Sequence, residues 1–217
     1  MCINFLNRAS ATVFRYVPRA AAGLFFLATT PVAFSQDSRD FLARVLTESQ
    51  AQEFAVYLLG NVPGLPPIAQ SLHILGIAVV MSSTVMVNLR FLGLAVPSQN
   101  VSDMIHRLMP WTFWALSVNA VTGLLFVVAR PNRYFYDAEL AGVPQVFSWK
   151  FSCLVPAIAL AMVIFWLNRR EPGFWEQSLP RRRSAQAIAA VSLLLWIGVV
   201  LAGRWIAYAE YLVPIPQ

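Results

Sequence analysis

Charge is the first thing this chain has little of: 12% of its 217 residues are Asp, Glu, Lys or Arg. A soluble globular domain carries about 25%. With 58% hydrophobic residues and a mean hydropathy of +0.61, that scarcity excludes an ordinary soluble domain and points to an integral membrane protein. Cysteine occurs twice, as Cys2 and Cys153. One falls in a leader-like segment and the other inside an apolar run, which excludes a disulfide framework and a thiolate metal cluster. Lysine occurs once, at Lys150, and histidine twice, at His73 and His106. The net charge of +6 therefore rests on arginines. They stand at the ends of apolar runs rather than in a basic patch interleaved with aromatics, so nucleic acid is not an expected partner. Met81, Met86 and Met162 are too scattered to argue for copper, and no repeat of about 20–50 residues is visible.

Met1–Ser35 reads as a signal peptide. Arg8, Arg15 and Arg19 form a positive n-region, Ala20–Thr30 an apolar core, and Ala33-Phe34-Ser35 a small-residue site with cleavage expected before Gln36. Residues 36–66 follow as an amphipathic segment suited to the membrane interface, with Phe41, Leu42, Val45 and Leu46 on one side of a first short helix. Thr47-Glu48-Ser49-Gln50 reads as the capping box of a second, ending near Gly60. Four spans are then expected at about 67–87, 109–129, 146–167 and 185–208, with prolines at their starts (Pro66 and Pro67, Pro110). Ala187, Ala189, Ala190, Ser192, Gly198, Ala202 and Gly203 suit close packing of the last span. The expected fold is all-α: a four-helix membrane bundle, N-out and C-out, preceded by short amphipathic helices.

Two features give that orientation. A leader places the mature N-terminus outside, which makes the loops after spans one and three internal. Those loops hold seven basic residues, Arg90, Arg107, Arg169, Arg170, Arg181, Arg182 and Arg183. The loop between spans two and three holds two, Arg130 and Arg133, offset by Asp137 and Glu139. The positive-inside rule agrees, and the expected location is the bacterial inner membrane with a periplasmic N-terminus.

Ionisable groups inside spans mark functional sites by default. His73 lies about two turns inside span one. Lys150 begins span three, Arg130 closes span two, and Arg204 lies about a turn inside the outer end of span four, with Tyr208 one turn further on the same face. Each span thus brings a basic group to one outer layer, with no acid within any span to neutralise it. Gln70, His73 and Thr84 fall within about 60° on span one, a polar stripe expected to face the bundle. Such a layer suits a ligand with carboxylates. Haem b is one, with His73 as axial iron ligand and Gln70, Arg130, Lys150, Arg204 and Tyr208 as further binding residues. His106 reads as a loop residue most of a bilayer away, which disfavours a bis-histidine site within one protomer. Asn119 and Thr122 read as interhelical hydrogen-bond formers.

Several stretches resemble an uncharacterised family of bacterial four-span membrane proteins: Ser71-Leu72-His73-Ile74-Leu75-Gly76, Asn88-Leu89-Arg90-Phe91-Leu92-Gly93, Arg107-Leu108-Met109-Pro110-Trp111-Thr112, Thr122-Gly123-Leu124-Leu125, Trp149-Lys150 and Gly203-Arg204-Trp205-Ile206-Ala207-Tyr208. The chain departs from that family twice. Gln70 stands where an acid is common, and Asn88 stands where Asp-Leu-Arg is, which leaves Arg90 without its expected partner. More distantly, the order Leu-His-x-x-Gly, Arg, Thr-Gly-Leu and Lys at a helix start is similar to the bacterial membrane protoporphyrinogen oxidase, a haem b protein, and to copper-resistance D-type membrane proteins. That likeness implies His73 as haem ligand, with Arg90 and Lys150 as functional cations. Three functions follow as expectations. The first is haem b binding for electron transfer or porphyrin oxidation. The second is copper- or anion-handling transport. The third is an accessory role beside other membrane subunits or in a homo-oligomer. The bilayer is the expected partner in each.

Overall fold

The computed structural model describes residues 36–47, 49–135 and 142–212; the leader, including Cys2, and the acids Asp137 and Glu139 lie outside them. Seven helices form, with no strand among the described residues. They are α1 (Gln36–Leu46), α2 (Gln50–Asn61), α3 (Leu65–Leu92), α4 (Val101–Ala129), α5 (Pro131–Phe135), α6 (Val143–Arg170) and α7 (Leu179–Leu212). Among these, α3, α4, α6 and α7 are long and apolar enough to cross a membrane. The chain is an all-α, four-helix membrane bundle.

Each expected span lies inside one of these helices, and the helices overrun it. Caps end them, rather than the loss of apolar residues. α3 follows Gly64 (φ +79) with prolines in its first turn, and stops at Gly93 (φ +77), a left-handed position that suits glycine. α4 starts at Asn100, whose side chain accepts from Ser102 N–H at 2.9 Å. As a result Pro110, expected to open a span, lies inside α4, and His106, expected in a loop, is an exposed residue of the same helix. Two further boundaries move at α2. Its cap is Ser49, which accepts from Gln52 N–H at 3.1 Å, so Thr47 is not the capping residue. At its other end Val62 is the C-cap in place of Gly60, with its N–H bonded to the Leu58 carbonyl.

α3 packs most extensively on α4, and α6 on α7; α3 also packs on α7, and a narrower contact joins α4 to α6. The order around the bundle is α4–α3–α7–α6, with α3 and α6 on the diagonal. Val80, Val87, Met109, Ile164, Ile188 and Leu195 fill the centre. Lipid gives helices little hydrophobic reason to associate, so close packing and hydrogen bonds hold them. Ala189, Ser192, Gly198 and Ala202 are buried as that requires, while Ala187 and Ala190 face outward. A Cβ on Gly198 would stand 3.2 Å from Cys153 Sγ. Asn88 Nδ2 donates to Ser192 Oγ at 3.1 Å between α3 and α7. Asn168 Nδ2 donates to the Ser102 carbonyl at 3.4 Å between α6 and α4.

Short helices cover the end of the bundle where α3 and α6 begin. α1 packs on α5, and α2 on α4. Ala43 joins Phe135, Val143, Phe147, Ile206 and Ala209 in a small second core. Phe147 stacks edge-on against Phe135 and Phe151, at 5.6 and 4.9 Å between ring centroids. Phe41 and Phe54 remain 64% and 63% exposed, as side chains at a membrane interface would be.

Candidate functional site

His73 stands on the third turn of α3 and is half-buried against α4. Two glycines permit the approach. The His73 ring lies over Gly123, where a Cβ would come to 3.3 Å from Cε1. One turn along α3, Asn119 lies over Gly76, where a Cβ would come to 2.9 Å from the amide carbon. The Asn119 amide, oriented to satisfy both of its ends, donates from Nδ2 to the His73 carbonyl at 2.9 Å and accepts from Ile77 N–H at 3.2 Å. It therefore bridges the same carbonyl and N–H that an α-helix pairs across one turn, and it clamps the backbone that carries the imidazole.

The tautomer of His73 follows from its acceptors. Nδ1 lies 2.8 Å from Thr122 Oγ1. A threonine hydroxyl has one hydrogen, and that of Thr122 is directed to the Val118 carbonyl at 2.8 Å. Toward the ring the oxygen offers a lone pair. In that arrangement Nδ1 carries the proton in the neutral ring, and Nε2 keeps its lone pair for a metal or a donor. Metal-binding histidines are commonly held this way, with the second nitrogen donating to a fixed oxygen.

Lys150, on the second turn of α6, is within electrostatic reach of His73. It is half-buried and has no hydrogen-bond or ion-pair partner among the described residues. A Cβ on Gly203 of α7 would come to 3.9 Å from Nζ, so α7 presents a bare backbone there. All four long helices meet at this level, through His73, Thr122 with Asn119, Lys150 and Gly203.

The other expected residues are placed differently. Arg204 points out of the bundle, donating to Tyr208 Oη at 3.0 Å and lying over the same ring at 4.5 Å. Arg130 is the exposed C-cap of α4. Gln70 is exposed, whereas Thr84 is buried deep in the centre, so the expected polar stripe does not stay on one inward face. Outside the spans, burial raises the pKa of Tyr134, and the nearby Arg133 and Arg130 cations partly counter it. Arg90 lies at the opposite end of α3 and does have partners. Its Nε donates to the Gln99 carbonyl at 2.8 Å, and Nη2 stands 3.6 Å from Glu176 Oε1. His106 is sixteen residues from Thr122 along α4, about 24 Å at 1.5 Å per residue, which separates the two histidines of a protomer.

Asn119 and Thr122, read from the sequence as interhelical hydrogen-bond formers, do form such bonds; that they and the glycines Gly76 and Gly123 build the site around His73 was missed. A signal was present: Asn119, Thr122 and Gly123 stand at i, i+3 and i+4, which puts two polar groups and a gap on one face of an apolar helix. Among the described residues no three His, Cys, Asp or Glu side chains come together as metal ligands. No curated protein and no solved structure matches the chain, so the likenesses to protoporphyrinogen oxidase and copper-resistance proteins rest on short motifs alone. One family model does match, over residues 53–209. That stretch takes in α3, α4 and α6, most of α7 and every residue of the His73 layer; the chain belongs to the family of unknown function DUF6644.

Proposed function

We propose that this membrane protein binds haem b at the His73 layer, on the periplasmic side of a bacterial inner membrane, and uses it for electron transfer or porphyrin oxidation. The observation that carries this reading is the orientation of His73. Its Nδ1–H is committed to Thr122, whose own hydrogen is committed to Val118, so Nε2 is held as a free lone pair. Lys150 supports the reading too, as an unpaired cation available to a carboxylate. When bound, the group would supply one-electron chemistry. Asn119 and Thr122 fix the imidazole in place, and Lys150 would neutralise a carboxylate of the bound group.

The side of the membrane rests on the arginine bias of the loops. A copper-handling role is less well supported, because His73 has no second ligand of its kind beside it among the described residues.

Protein purified in detergent from haem-replete cells should show a Soret band. His73→Ala should abolish it, and Thr122→Val should shift it or lower its occupancy by releasing the ring. A colourless native preparation overturns the proposal. A change in metal or anion uptake on deletion, with no optical signature, would favour transport. A stoichiometric protein partner without any ligand would favour an accessory subunit.

A further inference from the structure

A second site lies at the other end of the bundle. A pocket of about 290 Å³ opens between the end of α3, the connection to α4, the connection between α6 and α7, and the first turns of α7. That volume is at the lower bound for small-molecule sites, about 300–1,000 Å³. Two guanidinium groups line it, Arg90 and Arg182, with one acid, Glu176. Arg90 Nε donates to the Gln99 carbonyl at 2.8 Å and Nη2 pairs with Glu176 Oε1 at 3.6 Å, which leaves Nη1 for a ligand. The Arg182 side chain has no partner among the described residues. Trp175 also lines the pocket. It is 2% exposed, and its indole Nε1 has no hydrogen-bond partner. Phe91 and Phe174 hold the indole edge-on, at 5.8 and 4.9 Å between centroids, and fix that wall of the pocket.

From these residues we infer that the pocket binds a phosphate ester. Arg90 on α3 and Arg182 on α7 line one space whose charge, with Glu176, is net positive. An acceptor-only anion with oxygens in several directions satisfies them. A tetrahedral phosphate does so better than a planar carboxylate, and arginine is suited to it. Pro97, Val101 and Ala185 supply an apolar wall for the ester carbons. The ester is either the headgroup of an anionic lipid, met where a membrane helix ends, or a soluble phosphate ester. This site uses none of the residues of the His73 layer.

The full chain in a phosphate-free maltoside detergent should be titrated with dihexanoyl phosphatidylglycerol and, separately, with glycerol 3-phosphate, following tryptophan fluorescence and the thermal midpoint. Saturation by both probes identifies the phosphate ester itself as the ligand; saturation by the lipid alone identifies a headgroup site. In either case Arg182→Gln, a change at an exposed side chain that leaves the core intact, should weaken binding about tenfold. Arg169→Gln, an exposed arginine outside the pocket, should bind as the native chain does. Failure of both probes to saturate by about 10 mM, or equal binding by Arg182→Gln and the native chain, overturns the inference.

Discussion

Between α3 and α4 at the His73 layer, polar contacts run through neutral groups and backbone: imidazole to threonine hydroxyl, and asparagine amide to the carbonyl and N–H of the facing helix. At the Arg90 end they run through charges. Arg90 faces Glu176, Arg181 faces Glu171 at 3.5 Å, Arg181 lies over the Phe174 ring at 4.2 Å, and Arg170 lies over Trp166 at 3.6 Å. Depth explains the division. Inside a span a charge costs several kcal/mol unless it is paired, so fixed neutral groups do the positioning there. Near a helix end water and headgroups are at hand, and arginines can exchange partners cheaply. The first end should therefore be intolerant of substitution and the second forgiving.

The sharpest way to break this contrast is at the glycine contacts. Gly76→Ala should cost about 1–3 kcal/mol, because the new methyl meets the Asn119 amide and the clamp on His73 is lost with it. Thermal unfolding in detergent reads that loss, and an unchanged midpoint would show that the α3–α4 approach is loose. Gly123→Ala should cost less, about 1 kcal/mol or under, since the imidazole edge at 3.3 Å can yield by a few tenths of an ångström. With haem bound as proposed, its effect should appear more clearly in the optical spectrum than in stability.

At the other end, Arg181→Gln should change stability by less than about 1 kcal/mol, with the difference shrinking as salt rises. A loss comparable to that of Gly76→Ala would erase the distinction between the two ends. The smallest effect concerns Tyr134, whose pKa burial raises. In the unfolded chain the phenol ionises near its ordinary value of about 10; in the folded chain it ionises later. The unfolded state thus binds fewer protons between those values, and stability falls as pH rises from about 10 through the folded pKa. Below that window the group contributes no slope. Tyr134→Phe should remove the alkaline decline while keeping the ring contact to Phe147, at 5.1 Å between centroids, and a midpoint that falls equally in both chains would assign the decline elsewhere.

His73 and Lys150 were legible as one layer because depth along a helix can be counted from the ends of an apolar run. Arg204 was assigned to the same layer by the same count, yet it turns outward to Tyr208 while its neighbour Gly203 faces Lys150. One residue is about 100° of rotation, and on a helix apolar all round nothing in the pattern says which side is inside. Gln70 illustrates the same limit. It shares an angular sector with His73 and Thr84 on an ideal helix, but the bundle wraps only part of that sector at the level of Gln70. Arg90 was read as lacking a partner because Asn88 holds no acid; the partner comes from Glu176, on the distant α6–α7 connection.

The sequence by itself determined the class of the molecule, its four spans, the common level of His73 and Lys150 and the arginine bias between the two ends. Those properties are sums along the chain, of transfer free energy and of charge, and need no knowledge of neighbours. The tertiary structure alone decided which nitrogen of His73 is free, which glycines let α3 and α4 touch, which way Arg204 turns and where the buried indole of Trp175 lies. Each of these depends on how one helix is rotated against another, a matter of close packing and paired donors between residues far apart in the chain.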